Sequence, residues 1–356
     1  MKSFDLEGFH PNVREDLKKD SIEIVGGGIA GLSLAVGLRT IDVPVTLREA
    51  GSYPRHRLCG EFVNGVSDET LRALGLQDLF EGAQVHVGMS WWAKGEKVAE
   101  AELEHPVRAL SRWEVDRRMG EMFIERGGSL VCRERVPCEP QSGRVWAAGR
   151  KLQKGTGWLG LKAHFIGLEI CSGLEMHLGD GGYVGLTPVE GGRVNVCGLF
   201  RQREGLAGNG SERFLSYLNS CGLNDLVSRL REAEVDEASL TGVSGIGFGA
   251  QGQDSKLLAL GDAERMIPPF TGNGMSMAFE ASECALDALN DYSCGDMEWE
   301  EASSLIRARL QRRFQRRIML AKGLHRLILN SSAQDVLAAL AKPGLLPFTF
   351  LNRLLT

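Results

Sequence analysis

The sequence predicts an α/β protein in which a discontinuous parallel-sheet domain is interrupted by an antiparallel-sheet domain and followed by C-terminal helices. A strand–glycine turn–helix–strand unit opens the chain, a strand–turn–helix unit returns near its end, and hairpin patterns fill the middle. At 356 residues the chain has room for about two domains. With 43% hydrophobic and 24% charged residues it has the balance of an ordinary globular protein. That excludes a disordered chain, a collagen-like repeat and a disulfide-dense miniprotein. A net charge of −5 gives no global electrostatic reason to hold nucleic acid. The 45 glycines are nearly twice the usual share of ~7%, which points to tight turns or backbone pressed against a ligand.

Each element follows from a local pattern. Ser21 to Val25 is a short apolar run ending in glycines, as in a buried strand. Ala30 to Arg39 is a helix of small and aliphatic residues, and Val43 to Glu49 a second strand. Strand, helix and strand within about 30 residues form the unit of a parallel sheet with a right-handed crossover. Val85 to Glu104 alternates around Lys94-Gly95-Glu96, and Gly182 to Phe200 around Glu190-Gly191-Gly192, so both predict hairpins. Trp113 to Arg126 has helical spacing, and Ser129 to Val136 has strand character. Lys256 to Leu260 is another buried strand and Met275 to Leu289 a helix. Ala302 to Asn330 is helical, with Ile306, Leu310, Phe314, Ile318 and Ala321 on one side. The first domain is therefore expected over 20–80, 108–160 and 240–300, the second over 81–107 and 161–239, and a helical segment over 301–356.

No metal site is expected, because the eight cysteines form no CxxC pair and the seven histidines no HxxxH or HExxH pattern. Met1 to Asp20 is polar, and no long uncharged apolar run occurs. These features predict a reduced, cytoplasmic protein without a membrane span.

Gly26-Gly27-Gly28-Ile29-Ala30-Gly31 fits GxGxxG through Gly26, Gly28 and Gly31. The first glycine makes the turn, the second admits a pyrophosphate, and the third lets helix and strand pack closely. Glu49 ends the next strand, 21 residues after Gly28, at the spacing of an acid that binds ribose hydroxyls. Its charge opposes a 2′-phosphate. Late in the chain, Leu260-Gly261-Asp262-Ala263 closes a strand, and a Pro268-to-Gly274 loop opens a helix. Asp262 is placed for a ribityl or ribose hydroxyl, and Gly272 and Gly274 open a second helix N-terminus. Two such N-termini converging on one sheet suit FAD better than NAD.

Taken in order, GGGIAG with Glu49, the 54–61 stretch PRHRLCGE, Ser111-Arg112 with Asp116, and GDAERMIPPFTGNG at 261–274 resemble a known family. It is the FAD-dependent superfamily of aromatic-ring monooxygenases and geranylgeranyl reductases, with a para-hydroxybenzoate hydroxylase-like fold and a Rossmann-like FAD domain. The resemblance implies that Arg112 reaches the FAD phosphates, that Asp262 reaches the ribityl chain, and that the 54–61 loop covers the isoalloxazine with Cys59 near the ring. Motif and resemblance together expect FAD against Gly26, Gly28, Ile29, Ala30, Gly31, Glu49, Ala50, Arg57, Cys59, Gly60, Arg112, Val136, Gly261, Asp262, Pro269, Gly272, Gly274 and Met275. Where the monooxygenases carry a mid-chain Asp-Gly motif, this chain has Ala147-Ala148-Gly149-Arg150. Where the reductases carry Tyr-x-Trp-x-Phe-Pro, it has Tyr183-Val184-Gly185-Leu186-Thr187-Pro188, so a prenyl substrate is not carried over. The halogenase Trp-x-Trp-x-Ile-Pro signature is absent.

The candidate catalytic residues are Cys59, Glu61 and Tyr183. Cys59 is either a redox-active thiol or a small residue packed by the flavin. Glu61 is either a proton donor raised by burial or a surface salt-bridge partner. Tyr183, with Lys162 and His164, is placed to orient a carbonyl or phenol, or His164 is a satisfied packing histidine. Tyr183, Gly185 and Thr187 share one strand face and are expected to line the pocket, with Val184 and Leu186 turned into packing. Trp91 and Trp92 either line the pocket or fill the sheet interface. The six arginines between 307 and 317 make a domain-covering helix with a solvated face, or one that touches an anionic membrane. The apolar tail Leu345 to Leu351 docks on the core or shapes the substrate entrance. The function implied is an FAD-dependent oxidoreductase, reduced by freely diffusing NAD(P)H, that hydroxylates or reduces a double bond of a bulky apolar, aromatic or polyketide-like molecule. The alternative is a non-catalytic flavin-binding regulatory or assembly protein.

Overall fold

The computed structural model describes residues 19–329, apart from Ala207, Gln253 and Ser255. The expected docking of the 345–351 tail lies outside the described residues. Strand β1 (Ile22–Val25) leads through the glycine turn into α1 (Ile29–Thr40), then β2 (Val45–Glu49). Next come β3 (Phe62–Val63) and α2 (Asp68–Ala73), whose N-cap Ser67 Oγ accepts from Thr70 N at 3.1 Å. Strands β4 (Gln84–Ala93) and β5 (Glu96–Ala109) make the expected first hairpin. Its turn needs positive φ at Lys94 and Gly95, the geometry that matches strand twist. Helix α3 (Arg112–Glu125) is capped by Ser111, and β6 (Ser129–Cys132) and β7 (Arg144–Trp146) follow.

The middle of the chain is β8 (Trp158–Ile166), β9 (Leu174–Gly179), β10 (Gly182–Pro188) and β11 (Arg193–Arg201), then α4 (Gly210–Ser220), α5 (Asn224–Glu232) and β12 (Glu234–Ser244). The chain closes with β13 (Gly249–Ala250), β14 (Leu258–Ala259), β15 (Arg265–Met266), α6 (Gly274–Cys294) and α7 (Trp299–Ile328).

One sheet runs β14-β7-β1-β2-β6, with every pairing parallel. The other runs β12-β8-β11-β10-β9-β4-β5-β3, and only its β4–β9 pairing is parallel. Helix α1 is buried from Ile29 to Leu38 because the parallel sheet covers one side and α6 the other, where Ser33 Oγ meets Ser282 Oγ at 2.9 Å. Small residues permit that close approach.

Strand alternation sends Val184, Leu186, Val194 and Val196 under α4 and α5, against Phe214, Tyr217 and Leu226. Met176, Tyr183 and Leu199 therefore face the opposite side, toward Phe270. The alternation reading did not find α4 or α5. Their apolar stripes, Phe214, Leu215 and Leu218, then Leu226, Val227 and Leu230, fall in short segments between strands. Strand β8 begins at Trp158 and β12 runs to Ser244, so the second sheet takes in residues the sequence reading assigned to the first domain.

On α7, Ile306, Leu310, Phe314, Ile318 and Ala321 are buried as the periodicity predicts. Its arginines are partly committed. Arg313 and Arg317 hold the buried Glu280 of α6 at 2.8 and 2.9 Å, and Arg309 holds Asp287. Among the described residues, no helix is long and apolar enough to cross a membrane.

Candidate active site

Loops at the carboxyl ends of the parallel strands face the open side of the second sheet across a cavity of about 450 Å³. That volume falls in the usual ligand range of roughly 300–1,000 Å³. Gly28, Ile29 and Ala30 at the start of α1 line it, as do Gly272, Gly274 and Met275 at the start of α6. The two predicted helix N-termini thus open on one space, each presenting backbone N–H groups and favouring negative charge.

The three motif glycines divide their work. At Gly28 a side chain would meet nothing within 4 Å, which leaves the backbone open to a ligand. A Cβ at Gly31 would collide with the Gly26 carbonyl oxygen, and one at Gly26 (φ 105°) with the backbone of Ala147 and Ala148. Gly26 and Gly31 are glycines for packing and do not line the cavity.

Arg57, Cys59, Gly60, Arg112, Asp262 and Pro269 also line the cavity, as expected. Asp262 makes no side-chain hydrogen bond among the described residues. Burial raises its pKa, against the pull of Arg150 and then Arg112. Bare Gly28, two helix N-termini and a carboxylate without a partner fit the pyrophosphate and polyol hydroxyls of a flavin dinucleotide.

Glu49 departs from the expectation. It is buried, and its carboxylate already accepts Gly27 N and Gly51 N at 2.7 Å and Arg55 Nη2 at 2.8 Å, with Arg57 Nη2 at 3.5 Å. Burial opposes ionisation, but Arg57, the Gly51 N–H and Arg55 outweigh it and lower the pKa. Above the same turn, Tyr53 Oη and Arg57 Nη2 both donate to Gly27 O, at 2.7 and 2.8 Å. A carboxylate has about four acceptor positions and three are filled, so a ribose would compete with Arg57 for the fourth, on Oε2. Three further expected residues also lie off the cavity. Ala50 is exposed, Val136 packs against the cluster around Val25 and Trp146, and Gly261 makes a left-handed turn beside Ala30.

Of the two readings of Glu61, the geometry is that of a salt-bridge partner, placed in the interior and not on the surface. It is fully buried, at the rarely adopted φ of 60°, and three donors converge on its carboxylate. Lys162 Nζ lies 2.7 Å from Oε1, Arg112 N 2.9 Å from the same oxygen, and His164 Nε2 2.6 Å from Oε2. Burial pushes the pKa up, but Lys162 and then His164 bring it down to about 2. Lys162 and His164 therefore serve Glu61 and do not line the cavity. His56, Glu61 and His164 each offer a ligand atom within 4.8 Å of the others. Lys162 on that same carboxylate opposes a metal cation there.

Burial raises the Cys59 thiol, whose Sγ lies 3.3 Å from Met275 Sδ, so Cys59 lines the cavity as a packed residue. Tyr183 and Gly185 line the cavity as expected, with Tyr183 Oη buried and its ring edge-on to Phe270. Burial raises Tyr183 well above the ordinary tyrosine value. Thr187 is buried beyond the cavity, where its strand pairs with Asn195, which donates to Cys59 O at 3.0 Å. Neither Trp91 nor Trp92 lines the cavity, and Trp92 stacks on His177.

The sequence reading missed Met176, Leu199, Val243 and Ile246 of the apolar wall, and Arg150, which faces Asp262, while Phe270 of that wall lay within the quoted 261–274 stretch. Only Arg150 carried a signal, through its place after the altered Asp-Gly position.

The two-sheet fold is similar to that of solved FAD-dependent monooxygenases and halogenases. Pseudomonas aeruginosa PqsL in complex with 2-aminobenzoylacetate superposes with a TM-score of 0.71 at 17% identity, covering 88% of this chain and 98% of that one. A Klebsiella pneumoniae HpxO variant complexed with FAD gives 0.73 at 16% identity, covering 94% and 97%. The flavin-dependent brominase Bmp2 gives 0.71 at 17% identity, covering 95% and 93%. No family model and no curated protein matches the sequence.

Proposed function

We propose that this protein is an FAD-dependent oxidoreductase, reduced by NAD(P)H, that acts on a bulky apolar or aromatic small molecule. The observation that carries this reading is one cavity with two characters. One end has the two helix N-termini, bare Gly28 and Asp262, and the other has the wall of Met176, Tyr183, Gly185, Leu199, Ile246 and Phe270. The polar end suits a dinucleotide and the apolar end suits a substrate beside it.

FAD would be held at the N-termini of α1 and α6, with Arg57 and Arg112 on its phosphate side and Asp262 on its polyol. The bound isoalloxazine would supply the redox chemistry. The chain's own residues bind and orient. The apolar wall excludes water, Gly185 leaves room for a ring, and Tyr183, its Oη buried, gives its ring to that wall. The PqsL and HpxO likenesses support this reading at the level of the fold.

Purified protein is expected to carry a flavin spectrum or to gain several degrees in melting temperature with added FAD, and NADPH is expected to bleach the flavin anaerobically. Colourless protein indifferent to FAD would overturn the proposal. Oxygen-18 from dioxygen in the product marks hydroxylation, and solvent deuterium on a newly saturated carbon marks double-bond reduction.

A further inference from the structure

The outward face of α7 is neither a core face nor an ordinary solvated one. From Ala302 to Leu329 the chain carries eight Lys and Arg and no Asp or Glu, in a protein whose net charge is −5. Arg309, Arg313 and Arg317 are taken by Asp287 and Glu280, and Arg307 donates to Lys256 O at 3.1 Å. Arg312, Arg316, Lys322 and Arg326 are exposed and make no ion pair among the described residues. Among these cations stand Met319, Leu320 and Leu327, 62%, 42% and 49% exposed. They are three of the ten large apolar side chains exposed among the described residues, so they form a cluster and are not scattered singles. By helical spacing, Arg312, Arg316, Met319, Leu320, Arg326 and Leu327 fall within about one third of the turn. That arc lies opposite the buried stripe of Leu310, Phe314 and Ala321.

We propose that this face of α7 is a docking surface for an anionic lipid bilayer. The helix lies along the membrane, with Met319, Leu320 and Leu327 at the boundary of headgroups and acyl chains. Arg312, Arg316, Lys322 and Arg326 reach lipid phosphates while their stems lie beside those apolar side chains. Charge complementarity selects the partner, because no carboxylate follows Glu301 on the helix to repel a negative surface. The face has no Trp or Tyr, the anchors that a specific protein partner would engage.

The last turns of α7 connect this face to the cavity. Leu324, Ile328 and Leu329 pack in the apolar cluster of Met176, Tyr183 and Phe270, and His325 stacks on Phe270 at 5.9 Å between centroids. A docked α7 therefore holds the apolar end of the cavity close to the lipid, where a bulky apolar molecule partitions. The docking surface itself goes beyond the flavin reading and does not depend on it.

The experiment uses the full chain and vesicles of phosphatidylcholine with an equal share of phosphatidylglycerol, read by co-sedimentation against vesicles of phosphatidylcholine alone. Wild-type protein is expected to bind the mixed vesicles in low salt, to leave them in high salt, and to ignore phosphatidylcholine alone. Arg312→Gln with Arg316→Gln should weaken that binding about thirtyfold, from about 1 kcal/mol for each cation near the surface. Met319→Ser with Leu320→Ser should weaken it too and leave the salt dependence in place. Wild-type protein that ignores the mixed vesicles or binds both kinds alike overturns the proposal, as does binding unchanged in either double variant. A concentration-dependent dimer that Met319→Ser with Leu320→Ser dissociates, without vesicle binding, assigns the face to a second copy and also overturns it. Should a variant fail to fold, amide hydrogen exchange on the wild type decides. The Arg312 to Leu327 amides must gain protection with mixed vesicles, and protection confined elsewhere sinks the proposal. FAD binding is read separately by melting temperature. A chain indifferent to FAD that still binds anionic vesicles would defeat the flavin reading and leave the docking surface standing.

Discussion

Glu61 shows how one side chain ties distant strands of one sheet to a helix N-terminus. It leaves the loop that enters β3, reaches Lys162 and His164 on β8, and caps the first turn of α3 through Arg112 N. Glu61→Gln leaves Lys162 in the interior without a counter-charge, so it should cost about 3–5 kcal/mol in urea unfolding. The paired change Glu61→Gln with Lys162→Met should recover much of that loss, and no recovery would mean the ion pair is not the cause. Gly185 works by omission. Its Cβ position has no atom nearer than 3.9 Å, so Gly185→Trp would place an indole in open cavity. Turnover should stop while the FAD-induced rise in melting temperature stays within a degree or two. Normal turnover in that variant would remove Gly185 from the substrate wall.

Among the elements, α7 behaves as a brace. Its stripe from Ile306 to Ala321 lies in the same apolar core as α1 and α6, and Arg313 and Arg317 clamp Glu280. Phe314, 3% exposed, should cost roughly 3–5 kcal/mol on truncation to alanine, read as a lower denaturant midpoint. The α1 turn is tighter still. Gly31→Ala forces a methyl group onto the Gly26 carbonyl oxygen, a backbone atom that cannot step aside. Overpacking of this kind costs about 1–3 kcal/mol and should also weaken FAD binding, because the helix N-terminus moves with it. Unchanged FAD affinity in Gly31→Ala would show that the turn tolerates the shift.

Over the whole molecule, stability should fall with acid in two stages. His56 and His325, each lowered to about 4 chiefly by burial, are neutral in the fold but charge on unfolding below 6.5. The unfolded chain then binds more protons, so their contribution is full above pH 6.5 and lost on the way down to about 4. Glu61 and Glu175, held at about 2 despite burial by Lys162 and His164, and by His177 and Arg229, contribute fully above pH 4.5 and lose that contribution toward pH 2. Melting temperature should therefore decline from pH 6.5 and more steeply below 4.5. His325→Phe, placed in the ring cluster of Trp158, Phe248 and Phe270, should flatten the upper stage. An upper stage unchanged in that variant would assign it elsewhere.

Local rules within the sequence were enough for the two-sheet architecture and for the end of the cavity built by Gly28, Asp262, Gly272 and Gly274. A glycine turn after a strand, alternation around Lys94-Gly95 and Glu190-Gly191, and a 3.6-residue stripe on α7 are all readable within one window. Hence Gly28, Asp262, Gly272 and Gly274 were found. Tertiary structure decided what depends on partners distant in sequence. Glu49 stood at the ribose spacing, yet Arg55 and Arg57 fold back onto it. Glu61 looked like an acid in search of a role until β8, about a hundred residues later, delivered Lys162 and His164. Charge and burial compete within a few ångströms, and sequence spacing does not record which chain segments come that close.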